Sequence, residues 1–129
     1  MAKGHRSQIK KERNQNKDTR PSAKLSFARM SAQKAGFVLD EIRGKDVQTA
    51  LGILAYNPRY ASSVIEKLLK SAIANAENNN DMNPENLYVD ECFANKATTM
   101  KRIRPRARGM AYRIEKRMCH ITIILNERD

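Results

Sequence analysis

Three consecutive segments of the chain place apolar side chains at the spacing of an α-helix. The first follows Ser31, a suitable N-cap, and ends before Gly44, which suits the position after a helix. The second follows Asp46 as its cap, and the third follows Asn57, with a proline at its first helical position. An apolar stripe then runs from residue 60 to residue 76. The spacing therefore predicts three helices, of which the third is the longest.

Three other segments change to the two-residue alternation that is typical of half-buried strands. They span residues 23–31, 86–93 and 119–126, and the last is rich in isoleucine. The order is one strand, three helices and two strands, without the strand–helix alternation of a parallel sheet. This order predicts an α+β fold, in which three helices pack on one face of a small three-stranded antiparallel sheet.

The charge of the chain is concentrated in two segments. The 129 residues include 25 Lys or Arg and 14 Asp or Glu, which gives a formal net charge of +11. Residues 1–24 carry eight bases and two acids, and residues 96–117 carry nine bases and one acid. Residues 25–95, by contrast, carry seven bases and nine acids. Two basic appendages on a near-neutral body indicate a polyanionic partner, for which nucleic acid is the leading class and an anionic membrane the rival.

The first basic appendage, residues 1–22, is polar and lacks apolar periodicity. We interpret it as a flexible arm that is disordered until it is bound. The chain has no apolar run of about 18 residues that could span a membrane, and its N-terminus lacks the apolar core of a secretory signal. Cys92 and Cys119 have no metal-like spacing, and we interpret them as free thiols in a reducing compartment.

The second basic appendage, at about residues 94–117, lies between the last two predicted strands. Its centre contains Pro105 and Gly109, which disfavour a helix. The economical interpretation is an extended β-hairpin, with arms that continue the two strands and a tip near residues 101–106. Because side chains alternate along an extended chain, one face would carry four arginines, namely Arg102, Arg104, Arg106 and Arg108.

Such a hairpin would project well beyond the body. An arm of about nine residues reaches about 30 Å at roughly 3.3 Å per residue, more than the radius of a body of this size. A two-stranded hairpin is marginal in water even with a good apolar face, and this one has few large apolar side chains. Its charge indicates that a polyanion surrounds it. Abundant arginine and scarce aromatic residues favour the phosphates of folded RNA over stacking on single strands.

The segments IRGK, SAIANAENN, NLYV, KRIRPRARG, RIEKR and HITI occur in this order along about residues 23–126. Together they resemble the large-ribosomal-subunit protein L-twenty-two family, of the bacterial type. The resemblance implies a structural constituent of the large subunit that binds several domains of the large-subunit (23S-type) ribosomal RNA and supports subunit assembly. It also implies a long hairpin that reaches through the RNA and lines the nascent-polypeptide exit tunnel with its tip.

The resemblance further implies roles for individual residues. The tunnel tip maps to Met100, Lys101, Arg102, Ile103, Arg104 and Pro105. The contacts with ribosomal RNA map to Lys101, Arg102, Arg104, Arg106, Arg108, Arg113, Lys116, Arg117 and His120. Two positions depart from the family pattern, since Met110 stands where a basic residue is frequent and Cys119 stands where serine is frequent.

The expected organisation is the basic arm 1–22, followed by a single RNA-binding domain over residues 23–129. The expected partners are large-subunit ribosomal RNA, neighbouring large-subunit proteins and the nascent polypeptide, in a cytoplasmic ribosome. We expect no enzymatic activity, no cofactor, no bound metal, no membrane partner and no homo-oligomer.

Two other classes of protein are weighed against this one. The predicted helices at 31–43 and 46–55, joined by a short Gly-containing turn, superficially resemble a DNA-binding helix-turn-helix. The second of them carries one acid and no base, which suits a groove-reading helix poorly. For an enzyme, the two histidines lie in the arm (His5) and on the last strand (His120), and no nucleophile motif, phosphate-cradling loop or metal set is found.

Overall fold

The computed structural model describes residues 6–128; residues 1–5 of the predicted arm and Asp129 of the predicted domain lie outside the described residues. The helices are α1 (Arg6–Gln15), α2 (Ala32–Ile42), α3 (Val47–Tyr56) and α4 (Tyr60–Asn80). The strands are β1 (Ser22–Ala28), β2 (Leu87–Lys96), β3 (Met100–Pro105), β4 (Ala111–Lys116) and β5 (Cys119–Glu127), and a short 3-10 turn (Pro84–Asn86) precedes β2.

Strand β5 is the centre of a three-stranded antiparallel sheet with the order β1-β5-β2. Its residues Ile121, Ile123 and Leu125 are fully buried, whereas the residues between them are half-buried. Helix α2 packs against β2, α4 packs against β1 and β5, and α3 packs against α4. The α+β class with antiparallel pairing is as predicted. The number of elements is not, because the described residues contain four α-helices and a second, two-stranded sheet.

The helix ends follow the predicted caps in part. The Ser31 hydroxyl accepts a hydrogen bond from the Lys34 N–H at 3.3 Å, and Gly44 follows α2 with a positive φ of 76°. Helix α4 begins at Tyr60, so the predicted start after Asn57 is wrong by two residues. The reason is local: the Asn57 side chain accepts a hydrogen bond from the Arg59 N–H at 3.1 Å and closes a turn ahead of the helix.

Helix α1 corrects the prediction that the N-terminal arm lacks regular structure. Residues 6–15 are helical, although none of them is buried. Seven of its ten residues are Arg, Lys, Gln or Glu, and such straight-chain residues favour a helix. The absence of an apolar stripe therefore indicated the absence of packing, not the absence of a helix.

Strand β1 contains an irregularity that the sequence pattern does not reveal. Its pairing with β5 shifts between Leu25 and Ala28, and Phe27 adopts a positive φ of 56°. Because of this bulge, Phe27 points outward and is 56% exposed, while Ala28 and Met30 are buried. The simple alternation expected over residues 23–31 is thus interrupted, and the strand ends at Ala28.

Strands β3 and β4 form the predicted hairpin, which continues the ladder between β2 and β5. Its turn lies at residues 106–110: the Arg106 N–H donates to the Met110 carbonyl at 2.7 Å. Arg108 and Gly109 both have positive φ, of 61° and 69°, which a tight hairpin turn requires at its two central positions. The predicted tip at residues 100–105 is therefore wrong in position, since those residues form β3.

Pro105 does adjoin the turn, as expected of a residue that has no N–H for the ladder. It pairs with Ala111 at the end of β3, so the proline closes the arm and does not form the bend. The bend itself depends on Arg108 and Gly109. The prediction weighed the proline above the glycine that supplies the left-handed conformation.

The two cysteines are buried in the body as free thiols, as predicted. Burial raises the pKa of Cys92 and of Cys119 above the usual range for a thiol. The Cys92 thiol also donates to the Leu39 carbonyl oxygen at 3.3 Å. Both groups therefore report on the folding of the body, because alkylation needs an accessible thiolate. Among residues 6–128, no helix is long and apolar enough to cross a membrane.

Candidate nucleic-acid interface

The hairpin presents its charged side chains on two faces and at its turn. Every residue from 101 to 113 is exposed. The register pairs Arg102 with Ile114 and Arg104 with Tyr112, so these four side chains share one face of the two-stranded sheet. The opposite face carries Lys101, Ile103, Pro105, Ala111, Arg113 and Glu115.

Only part of the expected arginine row shares a face. Arg102 and Arg104 do so, whereas Arg106 and Arg108 lie in the turn, where the alternation of a strand no longer applies. The prediction of four arginines on one face is therefore wrong for the outer two. The positive charge is therefore distributed over both faces of the hairpin and over its turn.

The cations of the hairpin have almost no internal counter-charge. Glu115 is the single acid of this segment, and it pairs with Arg117 at 2.9 Å between Oε2 and Nη2. Within the described part of the chain, no ion pair involves any of the other hairpin cations, namely Lys101, Arg102, Arg104, Arg106, Arg108, Arg113 and Lys116.

Arg20, unlike most cations of the hairpin, has several carboxylate partners within the chain. Arg20, at the end of the N-terminal arm, contacts Asp18 at 2.6 Å, Asp90 at 2.5 Å and Glu91 at 3.0 Å. Hydrogen bonds from Arg20 lower the pKa of Asp18 to about 2, and the same carboxylates raise the pKa of Arg20. Arg20 is therefore paired with carboxylates of the chain, whereas most cations of the hairpin are not.

His120 is already partly engaged within the chain. Its Nδ1 accepts a hydrogen bond from the Phe27 N–H at 3.0 Å, and the two rings meet edge to face at 4.7 Å between centroids. Only Nε2 therefore remains to donate to an outside group such as a phosphate. Sequence reasoning singled out His120 and missed Phe27, because the bulge that turns Phe27 outward leaves no local signal in the sequence.

The base of the hairpin meets the body at a basic groove of about 720 Å³. Lys116 and Arg117, both predicted to contact RNA, line it from the hairpin side. Three further cations line it from the body: Arg29, Lys34 and Arg59. Sequence reasoning missed these three because they are scattered over 31 positions of a near-neutral region and only the fold brings them together with Lys116.

A packed α+β body with a projecting hairpin of unpaired cations defines a class of protein suited to a polyanion such as nucleic acid. The profile of the family described as Ribosomal protein L22p/L17e matches residues 23–126. The chain therefore belongs to the ribosomal protein L22p/L17e family, as the motifs in its sequence indicated.

Individual relatives agree over nearly the whole chain. The chain is 77% identical over 128 residues to the large ribosomal subunit protein uL22 of Lachnoclostridium phytofermentans, covering 99% of this chain and 100% of the relative. It is 74% identical over 128 residues to the protein of the same name from Lachnospira eligens, with the same coverage. A third protein of this name, from Agathobacter rectalis, is 72% identical over 131 residues, again covering 99% of this chain and 100% of the relative.

Proposed function

We propose that this protein is a structural constituent of the large ribosomal subunit, where it binds large-subunit ribosomal RNA, supports subunit assembly and lines the nascent-polypeptide exit tunnel. It acts by binding and positioning, not by catalysis. The observation that carries the proposal is the hairpin of cations without internal counter-charge, on a chain similar throughout to proteins named for the large ribosomal subunit.

The hairpin needs an outside partner for a physical reason. Two strands without a third layer are marginal in water, and here six Lys or Arg side chains between residues 101 and 113 repel one another. A phosphate bound by one of these side chains offsets the repulsion between them, and its binding also releases counterions condensed on the RNA. Large-subunit RNA that flanks both faces supplies such phosphates to Arg102 and Arg104 on one face and to Lys101 and Arg113 on the other.

The tunnel-facing part of the hairpin is its turn. Residues 106–110 lie farthest along the ladder from the body, so we assign the tunnel wall to them and not to residues 100–105. Exposed apolar groups accompany the charges here: Met110 is 55% exposed and Tyr112 is 54% exposed. A passing polypeptide would meet both kinds of side chain, together with Arg106 and Arg108.

The remaining assignments follow from the same location. Residues 23–129 act as one RNA-binding domain, which follows the basic arm 1–22. The partners are large-subunit RNA, adjoining large-subunit proteins and the nascent chain, in the cytoplasmic ribosome. The relatives carry the words large ribosomal subunit in their names, which supports this location.

A helix-turn-helix role in DNA binding is poorly supported. Helix α3 would be the groove-reading helix, yet its sequence VQTALGILAY contains no charged side chain. Three of its residues, Val47, Ala50 and Leu54, are buried in the body. The helix therefore has no charged side chain for phosphates, and its apolar face is occupied by packing within the body.

Filter binding tests the proposal. The purified chain should bind a large-subunit RNA transcript more tightly than duplex DNA at equal salt, with affinity that falls steeply as salt rises. Each lost phosphate contact lowers the log–log salt slope by about 0.7 to 0.9. The double variant Arg104→Gln/Arg113→Gln should therefore flatten the slope by about 1.4 to 1.8.

The matched control is Lys45→Gln/Lys67→Gln, which removes two charges from exposed positions of the body. It should change the slope by less than half as much. Equal affinity for RNA and DNA, or equal slopes for the two double variants, contradicts the proposed role of the hairpin.

A further inference from the structure

The groove at the base of the hairpin is formed by three parts of the chain that are distant in sequence. Its lining comes from the segment between β1 and α2, from the start of α4, and from the end of β4 with the residues that follow. The cations are Arg29 from the first part with Lys34 from the adjoining first turn of α2, Arg59 from the second part, and Lys116 and Arg117 from the third. The groove therefore contacts both the body and the hairpin.

The groove is strongly positive. Five cations and one acid, Glu115, line it, and Glu115 is already paired with Arg117. In the part of the chain that the structure describes, Arg29, Lys34, Arg59 and Lys116 enter no ion pair. Like charges held around one concavity raise the local potential and attract an anion.

One of the groove cations is held in place before any ligand binds. The guanidinium carbon of Arg59 lies 5.7 Å from the centroid of the Phe37 ring on α2, within the range of a cation–π contact. Arg59 also has its backbone N–H fixed by Asn57 at 3.1 Å. Its planar, bidentate donor set is therefore oriented at the start of α4, beside Tyr60, which is 67% exposed.

We propose that this groove binds the sugar–phosphate backbone of an RNA strand and thereby fixes the direction of the hairpin relative to the body. Phosphates held by Arg59 and by Lys34 on the body, and a neighbouring phosphate held by Lys116 or Arg117 on the hairpin, join the two parts through one strand. The inference rests on the proposed function, because it takes ribosomal RNA as the ligand, and it adds a site and a mechanical role to that function.

The dimensions and the charge favour a strand of RNA over a single anion. A volume of about 720 Å³ lies within the range of pockets that hold drug-sized ligands, roughly 300 to 1,000 Å³, and exceeds what one phosphate fills. The cations belong to different elements, so neighbouring phosphates of one strand can each find a separate partner. Recognition is by backbone charge, with an exposed tyrosine available to a sugar or base.

The first experiment compares RNA binding of two double variants that each remove two charges. Lys34→Gln/Arg59→Gln changes exposed groove residues, and Lys45→Gln/Lys67→Gln changes exposed residues outside the groove. With a large-subunit RNA transcript, the groove variant should lower the log–log salt slope by about 1.4 to 1.8. Protection of the buried Cys92 and Cys119 against alkylation should be unchanged, which shows that the body is folded.

The second experiment measures the direction of the hairpin. Spin labels on Ser71→Cys in α4 and Ala107→Cys in the turn report the body-to-tip distance. The native cysteines should stay unlabelled because they are buried. Saturating RNA should narrow the distance distribution in the protein with an intact groove. In Lys34→Gln/Arg59→Gln, the distribution should stay broad even at saturation, because the hairpin is bound but no longer clamped.

Two outcomes overturn the inference. In the first, the groove variant matches the lysine control in salt slope. In the second, its distance distribution narrows as fully as that of the protein with an unaltered groove. If the parent chain binds RNA with a steep salt dependence, either result rejects the groove as an RNA-binding site. The proposed function is unaffected in that case. Loss of such binding in the parent chain contradicts the proposed function itself, so the two failures are distinguishable.

Discussion

The two antiparallel sheets of this molecule follow one another along the chain, β2 leading into β3 and β4 into β5, but they differ in what covers them. The pairing of β2 with β5 ends at Lys96 and Cys119. One further hydrogen bond, of 3.0 Å from the Ala97 N–H to the Met118 carbonyl, follows. The pairing of β3 with β4 then begins at Met100 and Lys116. In β5 every second side chain is buried, whereas in β3 and β4 most side chains are exposed.

The difference separates the two sources of stability of a β-sheet. Backbone hydrogen bonds are the same in both sheets, and their net contribution in water is modest because water competes for them. Burial of apolar side chains supplies the larger contribution, and only the body has it. We infer that the body folds alone, while the hairpin acquires a fixed conformation when RNA surrounds it.

Amide hydrogen exchange should show the largest contrast. In the free protein, amides of β5 should be protected nearly to the free energy of global unfolding, which is about 5 to 15 kcal/mol for a domain. Amides of β3 and β4 should exchange almost as fast as in an unfolded chain, and binding of large-subunit RNA should slow them. Strong protection across residues 98–110 without RNA would show that the hairpin is stable by itself.

A pair of isoleucine substitutions should separate the two sheets by stability. Ile123 is fully buried between Ala23 and Cys92, so Ile123→Ala should lower the free energy of unfolding by about 2 to 5 kcal/mol. Ile103 is 71% exposed in the hairpin, and Ile103→Ala should change it by less than about 0.5 kcal/mol. Urea denaturation measures both, and similar losses would mean that the hairpin contributes to the core.

The same contrast explains how far the sequence predicts the fold. The stripe of α4 and the alternation of β5 are visible because each is local and repeats the spacing of one buried face. The bulge at Phe27 is not visible, because its partner His120 lies 93 positions away. The predicted position of the turn is wrong because it depends on Pro105, whereas the positive φ angles that form the turn belong to Arg108 and Gly109.

The candidate interface also has one part that the sequence predicts and one part that it does not. The cations of the hairpin are contiguous in sequence, so the sequence alone indicates the basic arm and its class of partner. The groove at its base combines Arg29, Lys34 and Arg59 with Lys116, residues that lie far apart along the chain. Local pattern cannot predict such a site, since it exists only when the strands and helices have packed.

Substitution of Arg108 should produce a smaller effect, confined to the hairpin. Its φ of 61° is unfavourable for a residue with a side chain by about 1 to 2 kcal/mol, and glycine removes that cost. Arg108→Gly should therefore slow amide exchange in β3 and β4 of the free protein. Arg108→Ala is the matched control, because it removes the same charge but retains the strain, and equal exchange in the two variants would contradict this account of the turn.

The smallest expected effect concerns the ion pair between Asp18 and Arg20 at the end of the N-terminal arm. Hydrogen bonds from Arg20 hold the pKa of Asp18 at about 2, below its ordinary value of 3.8. A lowered pKa means that the carboxylate stabilises the folded state above about pH 4, and that this stabilisation is lost as the pH falls towards 2.

The thermal midpoints of the parent chain and of Asp18→Asn should therefore differ at neutral pH and converge as the pH falls from 4 to 2. The difference should be small and should shrink in high salt, because Asp18 is 48% exposed and solvent screens the pair. Arg104→Gln serves as the control from the hairpin: Arg104 has no described carboxylate partner, so its effect on the midpoint should not depend on pH in this range. A gap between the parent chain and Asp18→Asn that stays constant from pH 4 to pH 2 would show that Asp18 and Arg20 are not paired in solution. Arg20 would then be held to the body by Asp90 and Glu91 alone, without help from Asp18.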